Sequence, residues 1–108
     1  MAAWRVTLLN QAVAAELEAM PADVRARFVR ISTLIEMHGL EGMREPHVKH
    51  LKDRLWEMRM IGRGGIGRAI YVTAAGQRVV VVHVFAKKSQ KTPPRAIRLA
   101  EQRAKEVR

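Results

Sequence analysis

Residues 55–85, LWEMRMIGRGGIGRAIYVTAAGQRVVVVHVF, contain three strand-like runs in quick succession and therefore predict the centre of a β-sheet. The runs are Leu55 to Ile61, Ile66 to Thr73 and Arg78 to Phe85. The connections between them contain glycine and are short enough to favour antiparallel hairpins over crossover helices. The first connection, Gly62-Arg-Gly-Gly65, is interpreted as a hairpin turn and not as a phosphate-binding loop, because no helix follows it.

The flanking segments predict one further strand and three helices. Residues 4–9 have the aromatic and β-branched content of a short first strand. Asn10 suits the N-cap of a first helix, Pro21 suits the first turn of a second, and Gly39 ends that second helix. Thr92-Pro93-Pro94 precede a final helix. The helical segments carry their apolar residues at helical spacing: Val13, Leu17 and Met20; Val24, Phe28, Ile31 and Ile35; Ile97, Ala100, Ala104 and Val107.

The predicted fold is α+β, with elements in the order β-α-α-β-β-β-α over a single domain, residues 1–108. Residues 40–54 are expected to form a basic connection. The two N-terminal helices are expected to pack on one face of a four-stranded antiparallel sheet, because the apolar face of a sheet needs burial. The opposite face is then at least partly open, and it offers a surface for a binding partner.

The charge distribution points to a polyanionic partner. The formal net charge is +10, from 20 Lys and Arg against 10 Asp and Glu. Residues 1–43 hold 4 basic and 5 acidic residues, whereas residues 44–108 hold 16 basic and 5 acidic residues. Nucleic acid is the expected partner, because neutralising phosphates drives strong, salt-sensitive binding. A membrane surface fits less well, since the basic residues alternate along strands and do not line one amphipathic helix.

Several classes of protein are excluded by what the sequence lacks. It has no cysteine, which excludes disulfides and thiolate metal sites. It has no apolar run long enough to span a membrane, and its start lacks the pattern of a signal peptide. We therefore expect a cytoplasmic protein that does not associate with membranes. No set of His, Asp and Glu has the spacing of metal ligands, so neither a metal nor another cofactor is expected.

Alternation along the strands places the candidate polar residues on a shared face. In the first run Glu57 and Arg59 share a face, and in the last run His83 and Phe85 do. The even positions of the last run are apolar and are expected to pack under the helices: Val80, Val82 and Val84. The shared face is then expected to collect Glu57, Arg59, Arg68, His83 and Lys87.

One function open to a basic protein without a metal site is the cleavage of RNA. This reaction requires three contributions from side chains. They must orient the ribose 2′-hydroxyl in line with the phosphate, assist proton transfer, and offset the growing charge on phosphorus. Arg68 and Lys88, with Arg59 or Lys87, suit the electrostatic role, since a guanidinium group can bind phosphate through two hydrogen bonds.

The proton-transfer role has several candidates. His83, His47 or His50 could be the acid or base, because imidazole titrates near neutrality, and Glu57 is a second candidate base. Each candidate also has a structural interpretation: Glu57 could form an ion pair with Arg59 on the same face, and His83 could be a core histidine among valines. His47 and His50 fit surface positions in a basic connection equally well.

Two aromatic residues could stack on RNA bases, a contact that tolerates any sequence. These are Phe85 and Tyr71, and either could instead belong to the core, which is the commoner place for an aromatic side chain in a strand.

Three segments resemble the HigB-like branch of the RelE/ParE toxin superfamily: LKDRLWEMR at 51–59, GRAIY at 67–71 and VFAKKSQKTP at 84–93. The end of the second helix, LIEMHG at 34–39, is similar as well. The resemblance covers about residues 5–105. It implies a compact β-sheet toxin that cuts mRNA in the ribosomal A site without a metal. It also implies a cognate antitoxin, often a small helix-turn-helix protein, that binds the toxin in a hetero-oligomer.

The resemblance also implies roles for individual residues. Arg68 matches the strand arginine that contacts the scissile phosphate, Lys88 or Lys87 matches the basic residue after the last strand, and Arg59 falls near the position of a catalytic lysine. His83 and Glu57 receive no role by analogy, because the acid and base vary within the family. The RNA-binding candidates are Lys49, Lys52, Arg54, Tyr71, Phe85 and Lys91. Arg54 stands where relatives commonly have glycine.

Other functions stay open at the level of sequence. ParE-type relatives share the fold yet poison DNA gyrase, and a decayed toxin would bind only nucleic acid or its antitoxin. A structural RNA-binding factor is a third class, disfavoured because the basic residues cluster on strands and not on extended tails.

Overall fold

The computed structural model describes residues 3–43, 47–86 and 91–107. The elements are β1 (Arg5–Leu8), α1 (Gln11–Glu18), α2 (Ala22–His38), a 3₁₀ turn (Leu40–Gly42), β2 (Val48–Lys52), β3 (Leu55–Gly62), β4 (Gly65–Ala74), β5 (Arg78–Ala86) and α3 (Pro94–Ala104). Among the helices of these ranges, none combines the length and the hydropathy needed to cross a bilayer.

The sheet is mixed and has five strands in the order β1-β5-β4-β3-β2. The hairpins that join β3, β4 and β5 are confirmed, but the prediction of four antiparallel strands is wrong in two respects. β1 pairs in parallel with β5, and the expected connection at 40–54 contains the edge strand β2, which pairs with β3. β2 carries two lysines and a histidine, a composition that suits an edge exposed to water and does not resemble a buried strand.

Helices cover both faces of the sheet. α1 and α2 pack on one face, here called the α1–α2 face, through Val13, Val24, Phe28, Ile31 and Ile35. Their partners on the strands include Met58, Met60, Ala69, Tyr71, Val79, Val81 and Val84. α3 packs on the opposite face, here called the α3 face, where Ala96, Ala100 and Ala104 contact Leu55, Ile70, Val72, Val80 and Val82. The prediction that both N-terminal helices share one face is confirmed, and α3 partly covers the face expected to be open.

A bulge in β5 decides which of its side chains lie on which face. Ile70 pairs with His83 and the next residue, Tyr71, pairs with Val81, so Val82 is an extra residue in β5. The bulge places Val82 and His83 on the same face, because an inserted residue breaks the two-residue alternation. The expectation that Val80, Val82 and Val84 form one apolar set is therefore wrong: the first two contact the α3 cluster, and Val84 contacts the α1–α2 cluster.

Two predicted helix boundaries, the start of α1 and the end of α2, are confirmed. The side chain of Asn10 accepts a hydrogen bond from the Val13 amide at 3.1 Å and so caps α1. Gly39 ends α2 with a φ of 87°, a left-handed conformation that costs glycine little.

Candidate functional site

The register of the strands gathers the candidate polar residues on the α3 face. Arg68 of β4 lies opposite Arg59 of β3 on one side and opposite Phe85 of β5 on the other. Glu57 lies opposite Ile70, which in turn lies opposite His83. Glu57, Arg59, Arg68 and His83 therefore share one face, as the alternation predicts. Lys87, the fifth member of the expected set, and Lys88 lie outside the described residues.

Arg68 and Glu57 form a buried ion pair. Arg68 Nη1 lies 3.3 Å from Glu57 Oε1, and the two residues are 2% and 1% exposed. The Thr92 hydroxyl, just before α3, joins them: it accepts from Arg68 Nη1 at 2.9 Å and donates to Glu57 Oε2 at 2.6 Å. The ion pair that the sequence suggests for Glu57 is thus made with Arg68 across the strands, and not with Arg59.

The burial of Arg68 limits what this guanidinium can contact. Only 2% of the residue is exposed and its Nη1 is bonded to Thr92, so Arg68 is not accessible to a phosphate in this structure. Glu57 also neutralises part of its charge. In this arrangement Arg68 connects β4 to β3 and to the start of α3.

Of the two opposed arginines, Arg59 is more accessible than Arg68. It is half-buried, and its Nε has no hydrogen-bond partner among the described residues. Like charges directly opposite each other on a sheet are destabilising, and Glu57, two residues before Arg59 on β3, offsets this repulsion by pairing with Arg68. Lys49 of β2 is paired in register with Glu57 and adds a third cation at this edge. Three cations around one carboxylate favour the binding of an anion.

His83 is held by a network that joins α1, β5 and α3. Its Nδ1 lies 3.0 Å from Glu16 Oε1. The same carboxylate accepts hydrogen bonds from the Val84 amide at 3.0 Å and from Arg103 Nη1 at 2.9 Å and 3.0 Å. The imidazole also stacks on Phe85, with ring centroids 5.0 Å apart and an interplanar angle of 21°.

A depression of about 750 Å³ lies between β5 and the first turns of α3. Its lining includes His83 and Phe85 from the strand and two exposed arginines from the helix, Arg95 and Arg98. An aromatic ring beside guanidinium groups is the combination that binds single-stranded RNA, because bases stack on rings and cations bind the backbone.

Tyr71 does not belong to this site, which corrects its prediction as an RNA-binding residue. It is 1% exposed and lies on the α1–α2 face, opposite to the face of Arg68. Burial raises the pKa of Tyr71 to about 12, because the ionised phenol would lose its hydration. The structural interpretation, an aromatic residue of the core, describes Tyr71.

The other basic candidates are dispersed around the sheet. Lys52 forms an ion pair with Glu101 of α3 at 3.2 Å, and Arg54 donates to the Thr73 carbonyl at 3.2 Å. Lys49 and Lys91 are exposed. Among these four, Lys49 lies beside Arg59 and Glu57, and Lys91 directly precedes Thr92.

The other two histidine candidates, His47 and His50, are surface residues of the β2 region. His50 Nε2 lies 2.6 Å from the Asp53 carbonyl, and its ring contacts Trp56 with centroids 4.9 Å apart. The exposed His47 accepts a hydrogen bond at its carbonyl from the Arg59 amide. The placement of His83 on the α3 face makes it the strongest histidine candidate for proton transfer. Within the described ranges no three His, Asp or Glu side chains are grouped as metal ligands.

The sequence prediction did not include two residues of the site, Glu16 and Arg103, although their positions in the helices were informative. Glu16 falls three positions after Val13 and four before Met20, on the side of α1 that packs against the sheet. Arg103 follows Ala100 by three positions on the packed side of α3. A charged residue on the packed side of an amphipathic helix needs a partner, and the sequence does not show which one.

The fold has a counterpart among solved structures. A chain of the crystal structure of the archaeal RelE–RelB complex from Pyrococcus horikoshii OT3 aligns with a TM-score of 0.61 and 20% sequence identity. The alignment covers 80% of this chain and 96% of that one. The likeness establishes a RelE-like fold, with a five-stranded mixed sheet in place of the predicted four strands.

Sequence comparison gives the family. Among curated proteins, none matches the chain. The model of the family described as phage derived protein Gp49-like (DUF891) matches residues 15–105, which include both α2 and α3 and the four strands β2–β5. Because this match spans most of its length, the chain belongs to the phage derived protein Gp49-like family.

Proposed function

We propose that this protein is the toxin of a toxin–antitoxin pair and that it cuts mRNA on the ribosome without a metal ion. The observation that carries the proposal is the α3 face, where His83, stacked on Phe85, lines an open depression with Arg95 and Arg98. Arg59 lies on the same face, two strands away on β3. The RelE-like fold and the HigB-like sequence segments support the same assignment. A member of the HigB branch is the specific form of toxin that we propose.

The proposed reaction uses attack by the ribose 2′-hydroxyl. His83 Nε2 accepts the 2′-hydroxyl proton as the 2′-oxygen bonds to phosphorus, and the bond from phosphorus to the 5′-oxygen breaks. A proton from water completes the departing 5′-hydroxyl, and the other product ends in a 2′,3′-cyclic phosphate. Arg59 binds the phosphate and offsets the growing charge in the transition state. Phe85 stacks on a neighbouring base.

Glu57 and Arg68 have a supporting role in this proposal. Both oxygens of Glu57 lie near Arg68 Nη1, and one also accepts from Thr92, so the carboxylate acts as a counter-ion and not as a base. Arg68 contacts phosphate if RNA binding displaces the segment at Thr92. We also propose that three lysines near Thr92 in the sequence bind the RNA backbone: Lys87, Lys88 and Lys91.

The proposed partners are mRNA on the ribosome and a cognate antitoxin, with which the protein forms a hetero-oligomer. The related fold was solved as a RelE–RelB complex, which supports a protein partner for this chain. A small helix-turn-helix protein encoded beside the gene is the form of antitoxin that we propose.

The test is induced expression in a bacterial host with measurement of protein synthesis and of mRNA 5′ ends. Arg59→Ala is the informative variant, because Arg68→Ala would also break a buried ion pair. Arg63→Ala is the matched control, since it removes the same charge from an exposed position in the β3–β4 turn. We expect translation to stop with new cuts inside reading frames for the wild type and the control, and a large loss of cutting for Arg59→Ala. Equal cutting by all three proteins would contradict the proposed site.

A second candidate function is binding without cleavage, as a gyrase poison or an inactive relative. The observation in its favour is the burial of Arg68 against Glu57, which gives this arginine a sufficient structural role. In that case growth arrest would come with intact mRNA. A DNA-damage response with translation initially unaffected would identify the gyrase poison, and no growth arrest at all would identify an inactive binding protein.

A further inference from the structure

Within the described residues, no strand pairs with the outer edge of β5 beyond the point where β1 ends. β1 pairs with β5 from Arg78 to Val81, and the backbone of residues 82–84 continues past the end of β1. The polar groups there are satisfied by side chains from two helices. Arg103 Nη1 donates to the Val82 carbonyl at 2.9 Å, and the Val84 amide donates to Glu16 Oε1 at 3.0 Å. Two charged side chains thus replace the missing strand at this edge.

The same carboxylate determines which nitrogen of His83 carries a proton. Glu16 accepts from Arg103 through both oxygens, which identifies it as an ionised acceptor. An ionised carboxylate has no proton to donate, so His83 Nδ1, 3.0 Å away, must be the donor. A neutral imidazole with its proton on Nδ1 has an unprotonated Nε2, the form that accepts a proton.

The imidazole of His83 borders the depression. His83 is 12% exposed at its side chain and lines the depression, and no described residue bonds its Nε2. Phe85 stacks on the ring from one side and restricts its rotation. The imidazole is therefore held by one hydrogen bond and one ring contact, and its Nε2 remains available to a ligand in the depression.

We propose that Glu16 and Arg103 are positioning residues that hold His83 in the Nδ1-protonated tautomer with Nε2 ready to accept a proton. Glu16 orients the ring, and Arg103 holds the Glu16 carboxylate in place from α3. This inference rests on the proposed ribonuclease function for its catalytic consequence. The tautomer itself is a property of the free protein and can be measured without RNA.

The first arm of the test is nitrogen NMR of the histidine side chains in the wild-type protein, in Glu16→Gln and in Glu18→Gln. Glu18 lies on the same helix with an exposed side chain, so its variant removes an equal charge without touching His83. We expect protonated Nδ1 and unprotonated Nε2 in the wild type and in Glu18→Gln. In Glu16→Gln, we expect the proton to redistribute towards Nε2. A wild-type His83 with its proton on Nε2 would overturn the proposal.

The second arm measures mRNA cleavage by the same proteins and by Arg103→Lys. Loss of the partner that orients a metal-bound histidine lowers activity by about 10- to 100-fold, and we expect a decrease of this order for Glu16→Gln and a smaller one for Arg103→Lys. Thermal unfolding of each variant shows whether a loss of cleavage reflects loss of fold, and Arg103→Lys is the variant to use if Glu16→Gln does not fold. Unchanged cleavage in a folded variant with an altered tautomer would overturn the positioning role. No cleavage by the wild type would overturn the proposed function itself, whereas the NMR result would still decide the tautomer.

Discussion

At the scale of single residues, Arg68 shows why a residue type in a strand does not by itself give a role. An arginine among small and apolar residues of β4 predicts a functional contact, and the structure places it in a buried ion pair with Glu57. Alternation along β3 correctly placed Glu57 and Arg59 on one face. The identity of the ion-pair partner depends on strand register and on Thr92, which lies 24 residues away from Arg68 in the chain.

Removal of one member of this pair is expected to lower the free energy of unfolding much more than removal of both. Glu57→Ala should lower the free energy of unfolding by about 3–5 kcal/mol, because it leaves a buried guanidinium without its counter-ion. The double variant Glu57→Leu with Arg68→Met should recover most of that loss, since apolar side chains of similar volume replace the pair. Urea unfolding measures both values. A double variant as unstable as the single one would show that the pair stabilises the fold as a unit.

Tyr71 gives a second prediction at this scale. Burial raises its pKa to about 12 from the ordinary value of 10.0, so the unfolded chain releases this proton before the folded protein does. The stabilising effect is complete below pH 10 and is lost as the pH rises towards 12, with a total of about 2–3 kcal/mol. Ultraviolet titration reports this group alone, because the chain has one tyrosine.

The control for that prediction is Tyr71→Phe, which keeps the ring in the core. The difference in stability between wild type and variant should change over this alkaline range, whereas lysine titration affects both proteins equally. An ionisation at pH 10 in the folded wild type would contradict the burial of the phenol.

At the scale of elements, the turn between β3 and β4 is attached to the start of α2. Asp23 in the first turn of α2 accepts hydrogen bonds from the amides of Gly64 and Val24. A Cβ on Gly64 would lie 2.8 Å from Asp23 Oδ1, so glycine permits the close approach. The glycines of GRGG therefore serve both the hairpin turn and its contact with a helix. The sequence indicates the turn but not the contact.

The contact makes stability depend on acidic pH. The hydrogen bond from the Gly64 amide is the main cause that lowers the pKa of Asp23 below 3.8. A lowered pKa in the folded protein means that the stabilising effect is present above about pH 4 and is lost as the pH falls through the folded value. Asp23→Asn should weaken the acid dependence of stability and speed up hydrogen exchange at the Gly64 amide.

The matched control is Asp53→Asn, which changes an exposed aspartate in the β2–β3 turn. We expect this variant to retain the wild-type protection of the Gly64 amide. Equal exchange rates at Gly64 in wild type and Asp23→Asn would contradict the proposed attachment of the turn.

Some of the helices and strands can be predicted from sequence patterns, and others cannot. Apolar periodicity predicted α1, α2 and α3 and the three strands β3–β5, because each buries a regular set of side chains. It did not predict β2, whose exposed edge position permits polar residues, nor the parallel pairing of β1 with β5, which depends on contacts distant in the chain. The sequence also does not predict the bulge at Val82, because four consecutive valines give no indication of which one is inserted.

In the whole molecule, the N-terminal and C-terminal parts of the chain differ both in net charge and in the elements that they form. Residues 1–43, which supply β1, α1 and α2, have nearly balanced charges, whereas residues 44–108 carry the excess of basic residues and supply β2–β5 and α3. The helices α1 and α2 cover one face of the sheet, and the candidate site lies on the other. Binding of RNA to the α3 face should therefore weaken steeply with salt, as expected when several phosphates are neutralised.

The most direct test of the account is the chemistry of the ends that the protein leaves on mRNA. Ligation methods that separate 5′-hydroxyl from 5′-phosphate ends should be applied to RNA from cells expressing the wild type or His83→Gln. Attack by the 2′-hydroxyl predicts 5′-hydroxyl and 2′,3′-cyclic phosphate ends inside translated frames, with a loss of about 10²- to 10⁴-fold in His83→Gln. Ends that carry a 5′-phosphate, or mRNA that stays intact while growth stops, would contradict it.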